Sequence, residues 1–276
     1  MLLTVLLGLT AAVCWGAPDV WLAQATRHLG PFPVAFGAIL IGLAVIAPAG
    51  LFVDLPDWSG RGVLLAVLVG GLTALGYQVG FVAFKHGAVS IVAPIIACEG
   101  AVAAAISIAA GETVGESIGI FLALAVVGVV LAAMGEGGGR KGAVPAALAA
   151  CIWGVILVLS SPVSDELGVF WGFVAVRASA LLWLLPLAIS RGVTMRWRAD
   201  TWRVAAWGVG DSLAYLAFVA AAHRGPVSVA SVLAAQFATV AVLVATVFFG
   251  ERPRTRQLVG VGLVIVAVSA IAAVSG

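Results

Sequence analysis

The chain repeats itself at a constant offset of 138 residues. Trp15-Gly16 returns as Trp153-Gly154, Gly70 as Gly208, Tyr77 as Tyr215, Gly87 as Gly225, and Val89-Ser90 as Val227-Ser228. Gly111-Glu112 returns as Gly250-Glu251 with one extra residue. Tryptophan is scarce, nine in 276 residues, so a Trp-Gly pair in register with these later matches is not chance. The repeated unit is also too apolar for water. The chain is 63% hydrophobic and 9% charged, against roughly 25% charged in a soluble domain. No soluble fold of this size hides that much apolar surface, so the bilayer must be the solvent for most of it. Two copies of a membrane unit about a pseudo-two-fold axis is how many secondary transporters are built.

Apolar spans of about 20 residues, the length that crosses a bilayer, are marked off by short polar or Gly/Pro breaks. Ten are expected: 2–23, 31–53, 62–84, 88–110, 117–135, 144–161, 169–190, 203–222, 226–249 and 258–275. Nothing alternates apolar with polar as barrel strands would. The joint Glu136-Gly-Gly-Gly-Arg140-Lys141 falls where the halves should meet. The expected fold is therefore all-α and integral to the membrane, with ten transmembrane helices in two five-helix repeats, 1–137 and 142–276. An odd count per repeat makes the second copy enter upside down, so the repeats are inverted. The N-terminal run lacks a basic n-region and a small-residue cleavage site, and reads as a retained first helix.

Lys and Arg set the expected orientation. The connections 1–2, 3–4, 5–6, 7–8 and 9–10 carry eleven: Arg27, Lys85, Arg140, Lys141, Arg191, Arg196, Arg198, Arg203, Arg252, Arg254 and Arg256. The opposite side carries Arg61 and Arg224. The basic side should be cytoplasmic, placing both termini outside the cell membrane. A net charge of +2 gives no argument for nucleic acid. Cys14, Cys98 and Cys151 lie in apolar runs and read as small core residues, and the three histidines at helix ends have no metal-ligand spacing. No phosphate-binding loop or hydrolase constellation is present, so no enzyme chemistry and no cofactor is expected. Most of the 34 glycines read as close-packing positions between helices.

An ionisable group at mid-bilayer costs at least ~2.5–3.5 kcal/mol on insertion scales, so each marks a functional candidate. Asp19, Glu99, Arg177 and Asp211 stand out, with Gln236 and Gln78 as neutral polar residues. Glu99 should sit near the middle of helix 4, with Gln236 one position from its repeat counterpart in helix 9. It reads as a central substrate or proton site; the alternative is a structural pair with Arg177. Arg177 needs a partner, and Asp211 and Glu99 are the candidates. Asp211 and Tyr215 are four apart and share a helix face, as Thr73 and Tyr77 do at the matching positions. The two tyrosines are candidates to line a solute path, or to anchor an interface. Trp15 and Asp19 also share a face, with Pro18 between them to kink the helix. Trp15 and Trp153 could flank a cationic or planar solute, or could be packing anchors. Asp19 reads either as a site acid or as a hydrated helix-end residue. Three carboxylates against one arginine make the interior net acidic if all are ionised, which favours cations, zwitterions or protons.

The segments resemble the drug/metabolite transporter superfamily, in its ten-helix EamA-type branch. The likeness rests on Ala11-Ala-Val-Cys-Trp15-Gly16 and Ala149-Ala-Cys-Ile-Trp153-Gly154. It continues in Phe84-Lys-His-Gly87-Ala-Val-Ser90-Ile-Val-Ala-Pro94 and Ala222-His-Arg-Gly225-Pro-Val-Ser228. Gly250-Glu251-Arg252-Pro253 with Gln257-Leu-Val-Gly260 completes it, and Arg177 matches an arginine that family often carries in helix 7. The likeness covers nearly the whole chain. Departures are Ile39 in place of a helix-2 arginine, a short 4–5 joint and an acidic 2–3 joint with Asp54 and Asp57. Relatives are usually described with both termini in the cytoplasm, against the charge count here. The resemblance implies a secondary transporter moving a small metabolite, such as an amino acid or amine, by alternating access, with proton-coupled export as the expected direction. An uncoupled facilitator, a flippase for a lipid-linked intermediate and a non-transporting membrane scaffold are the alternatives. The expected partners are a small-molecule substrate, the lipid bilayer and protons; oligomeric state is open.

Overall fold

In a computed structural model the described residues are 2–112, 115–133, 140–190, 192 and 200–249. Residues 255, 256, 258–260, 262, 263, 266, 267 and 270 are also described. The glycine-rich joint at 134–139 and the Gly250–Pro253 segment lie outside them. Helices in order are α1 (Leu2–Gly16), α2 (Asp19–Leu29), α3 (Pro31–Ile46), α4 (Gly60–His86), α5 (Val89–Ile96) and α6 (Glu99–Ala109). They continue as α7 (Glu116–Ala133), α8 (Arg140–Leu167), α9 (Val169–Ser190), α10 (Thr201–Ala222), α11 (Val227–Ala234) and α12 (Phe237–Phe249). A 3-10 turn, Ala47–Phe52, extends α3. Read as α1–α2, α3 with its turn, α4, α5–α6, α8, α9, α10 and α11–α12, eight described spans are long and apolar enough to cross a membrane. At about 1.5 Å per residue, even the 22-residue α9 matches the ≈ 30 Å hydrocarbon core.

Three spans are interrupted near mid-length, and each interruption has a local cause. In the first, Pro18 lacks an N–H and the chain turns through Ala17-Pro18 before Asp19 starts α2. Its repeat counterpart is Ile156, and α8 runs through unbroken there. In the other two the backbone tightens into a 3-10 turn. Cys98 N–H bonds Ile95 O (3.2 Å) and Gln236 N–H bonds Leu233 O (3.2 Å), in place of carbonyls one residue earlier. The side chains take over the carbonyls so freed. Cys98 Sγ reaches Pro94 O (3.7 Å) and Gln236 Nε2 donates to Val232 O (2.9 Å). Cys98 and Gln236 are 138 apart, as are Pro94 and Val232. The two breaks are one repeated device, satisfying backbone groups where lipid offers no partner.

The packing repeats as well. The pair α1–α10 answers to α8–α4, α3–α10 to α9–α4, and α1 against α11 and α12 to α8 against α5 and α6. The repeated glycines sit where these helices touch. A Cβ on Gly70 would lie 2.9 Å from the backbone N of Ala180 in α9, and one on Gly208 3.0 Å from the Ala38 backbone carbon in α3. On Gly154 it would meet Glu99 O at 3.0 Å, and on Gly16 the Phe237 backbone carbon at 3.0 Å. On Gly225 it would meet Thr4 Oγ1 at 2.7 Å, and on Gly87 it would lie 3.4 Å from Gly142, the counterpart of Thr4. Each matched pair therefore closes the matched helix contact, which is the expected use of small residues in a bilayer.

The observed helices correct several expected boundaries. The first span runs to Leu29 and α8 to Leu167. Polar ends such as Ser164-Asp165-Glu166 remain helical because a helix longer than the hydrocarbon projects into the interface.

Candidate functional site

The three breaks meet one cavity, with about 580 Å³ of empty space that includes open solvent. Trp15 and Asp19 come to it from either side of the first break, Glu99 from the second and Phe237 from the third. Tyr77, Gly80, Phe81 and Phe84 of α4 form one wall. Trp153, Ile156 and Leu157 of α8 and Trp207, Asp211 and Tyr215 of α10 form the others.

The three carboxylates differ sharply in what holds them. Asp211 is saturated. Its Oδ2 accepts from Arg177 Nη2 (2.8 Å) and Tyr77 Oη (2.5 Å), and its Oδ1 accepts from Trp15 Nε1 (2.9 Å). Arg177 also donates to the Tyr77 hydroxyl and packs against the rings of Tyr77 (5.3 Å), Phe173 (5.5 Å) and Tyr215 (5.1 Å). Side chains from α1, α4, α9 and α10 thus close on one neutral ion pair. Asp19 has a single described donor, Trp207 Nε1 at 2.8 Å to Oδ1. Glu99 has none: among the described residues no hydrogen bond or ion pair reaches its carboxylate, although it is 5% exposed.

This geometry decides several sequence expectations. Arg177 pairs with Asp211, not with Glu99. Asp19 is not a hydrated helix-end residue, since it is 4% exposed and starts α2 inside the bundle. Gln236 is not the counterpart of Glu99 in the cavity; Phe237 takes that place and Gln236 is spent on the α11–α12 break, with Oε1 unpartnered. Tyr77 and Tyr215 both reach the cavity, at its Arg177–Asp211 end. Trp153 stacks edge-on against Tyr77 (4.8 Å).

A family model matches the chain twice, over residues 2–134 and 140–273, and it describes the EamA-like transporter family. The chain belongs to the EamA-like transporter family. It is thus an integral membrane protein of a transporter family. A crystal structure with 22% sequence identity matches the EamA-like chain at a TM-score of 0.78, covering 99% of both chains, and so shares its fold. No curated protein sequence matches it.

Polar ties join the connections at each end of the EamA-like bundle. At one end Arg27 Nη2 donates to Gly87 O (2.9 Å) and His28 Nδ1 meets Asp200 Oδ2 (3.1 Å). At the other end Asp165 meets His223 (3.3 Å), and Glu166 meets Arg61 (3.4 Å) and accepts from Ser59 Oγ (2.6 Å). Arg27-His28 and Asp165-Glu166 are 138 apart, so the repeat carries one pair of ties with its charges inverted. At that second end Glu112 also caps α11, accepting from Val227 N (2.9 Å), Ser228 N (3.2 Å) and the Ser228 hydroxyl.

Sequence reasoning missed Trp207, Phe81 and Phe84. The signal was present: Trp207 lies four before Asp211 and Phe81 four after Tyr77, on the same helix faces.

Proposed function

We propose that this EamA-like chain is a secondary carrier for a small metabolite, with the cavity at the three breaks as its solute site and Glu99 as its coupling carboxylate. The observation that carries the reading is Glu99 itself, buried, on the cavity wall and without a protein partner. An ionised carboxylate in that position lacks compensation worth several kcal/mol, so it gains by taking a proton or a positively charged solute. That is the property a proton-coupled exporter needs. Asp211, held from behind by Arg177, gives the cavity a fixed wall.

The carrier reading takes the chain as ten helices in two inverted five-helix repeats, 1–137 and 142–276, in the cell membrane with both termini outside. The matched helix contacts and the inverted pair of end ties support an exchange of the cavity between the two faces. A scaffold with a dry, closed interior would place Glu99 on Arg177; the Asp211 pairing argues against it.

The test is solute flux in reconstituted liposomes, with and without a pH gradient. Flux driven by the gradient, with Glu99→Gln abolishing that drive, is the expected result. Flux that follows the solute gradient alone in wild type and variant would make the chain a facilitator. No solute-dependent flux of any kind would refute the carrier.

A further inference from the structure

We infer that the solute is an organic ammonium cation with an apolar, ring-sized body and no carboxylate of its own. The inference rests on the carrier reading for its biology, but on the cavity alone for its chemistry. Three observations carry it.

First, the uncompensated charge is of one sign. The other charged side chains that line the cavity with Glu99 are two more carboxylates, Asp19 and Asp211. Of these, only Asp211 is matched by a cation. Second, no cationic side chain lines the cavity to meet a solute carboxylate. Arg177 is 1% exposed and is not on the cavity wall; its Nη1 and Nη2 donate to Tyr77 and Asp211, and its Nε, which has no partner among the described residues, is buried. Of the three half-helix N-termini at the cavity, with their positive dipole ends, those of α2 and α6 begin with their own acid, Asp19 or Glu99, and that of α12, at Phe237, carries none. Third, the walls are aromatic. Indoles of Trp15, Trp153 and Trp207 and the rings of Phe81 and Phe84 surround the two acids. Ring faces attract ammonium groups and accept a flat apolar body, whereas the indole N–H groups of Trp15 and Trp207 are taken by Asp211 and Asp19, which leaves a carboxylate that of Trp153 alone among these rings.

Within the site the three acids then divide the work. Glu99 meets the ammonium group. Asp19, tethered by Trp207, adds a second negative charge and keeps one oxygen free of protein donors. Asp211 is a positioning residue, its charge matched by Arg177 and its oxygens held by Arg177, Tyr77 and Trp15.

The experiment uses three probes with one body and different charges: 2-phenylethylamine, phenylalanine and 3-phenylpropionate. Binding to the purified full chain is read by thermal shift, and exchange by counterflow in proteoliposomes. The amine should bind at least tenfold tighter than phenylalanine, and 3-phenylpropionate should not bind. Glu99→Gln should weaken the amine tenfold or more without gaining phenylalanine. Asp19→Asn, a second variant in case the first fails to fold, should weaken it severalfold. Equal or tighter binding of phenylalanine or 3-phenylpropionate, no binding of any probe, or unchanged amine affinity in both variants would each overturn the inference. Counterflow separates the two readings. Amine binding without exchange leaves the cation class standing and removes the carrier; exchange of phenylalanine in preference to the amine leaves the carrier standing and removes the cation class.

Discussion

Replacing Arg177 by methionine removes the one cation that Asp211 has, in a site where the two side chains are 2% and 6% exposed. Solvent screening is absent there, so the cost is that of orphaning a buried charge, ~3–5 kcal/mol. Methionine refills most of the volume, so little of that loss is cavity formation. Tyr77 and Trp15 still donate to Asp211, which keeps the estimate below a fully naked carboxylate. The companion variant Asp211→Asn orphans Arg177 instead and should cost about as much. The double variant should recover most of the loss, because two neutral side chains leave no charge unmatched. Glu99→Gln has the opposite sign: it removes a carboxylate with no partner, and the folded state should be unchanged or more stable. The assay is thermal or denaturant unfolding of the purified protein in one detergent, as a double-variant cycle with Glu99→Gln beside it. Additive losses in the double variant, or a Glu99→Gln loss as large as that of Arg177→Met, would refute the separation between a paired and an unpaired acid.

Three further outcomes follow from the same geometry. Gln236→Leu should lose ~1–3 kcal/mol, the cost of the Val232 carbonyl left bare at the α11–α12 break, and should leave ligand selectivity unchanged in binding assays. Gly154→Val should fail to fold or lose several kcal/mol in the same unfolding assay, because its side chain would meet Val102 Cβ at 2.6 Å and the Glu99 carbonyl at 3.0 Å. Glu166→Gln weakens an exposed tie worth ~0.2–1 kcal/mol, so it should raise thiol-reagent access to the cavity from that end by up to about fivefold and leave the other end unchanged.

Much of the fold could be read from the sequence, because lipid demands apolar spans of fixed length and the repeat marks their order. The glycines flagged by the repeat are the helix contacts. The breaks were only partly legible. Pro18 announces its own, since proline removes a donor. Cys98 and Gln236 do not, because their role is to bond carbonyls freed by a turn that no single residue dictates. The aromatic walls were legible only in part, for Trp207, Phe81 and Phe84 needed the helix faces to be laid together. Most of what decides the site was not legible. That Arg177 closes on Asp211 and leaves Glu99 alone depends on which helices are neighbours and how they are rotated, and four helices meet at that one pair.

The proposed carrier requires a cavity that opens to each face in turn. A single cysteine at Ile156, a fully buried residue of the cavity wall, in a chain with Cys14, Cys98 and Cys151 replaced, reports this directly. Labelling with a membrane-impermeant thiol reagent from either side of oriented vesicles should succeed from both, with the ratio shifting when the amine is bound. Labelling from one side alone, or from neither, under every pH and ligand condition would contradict it.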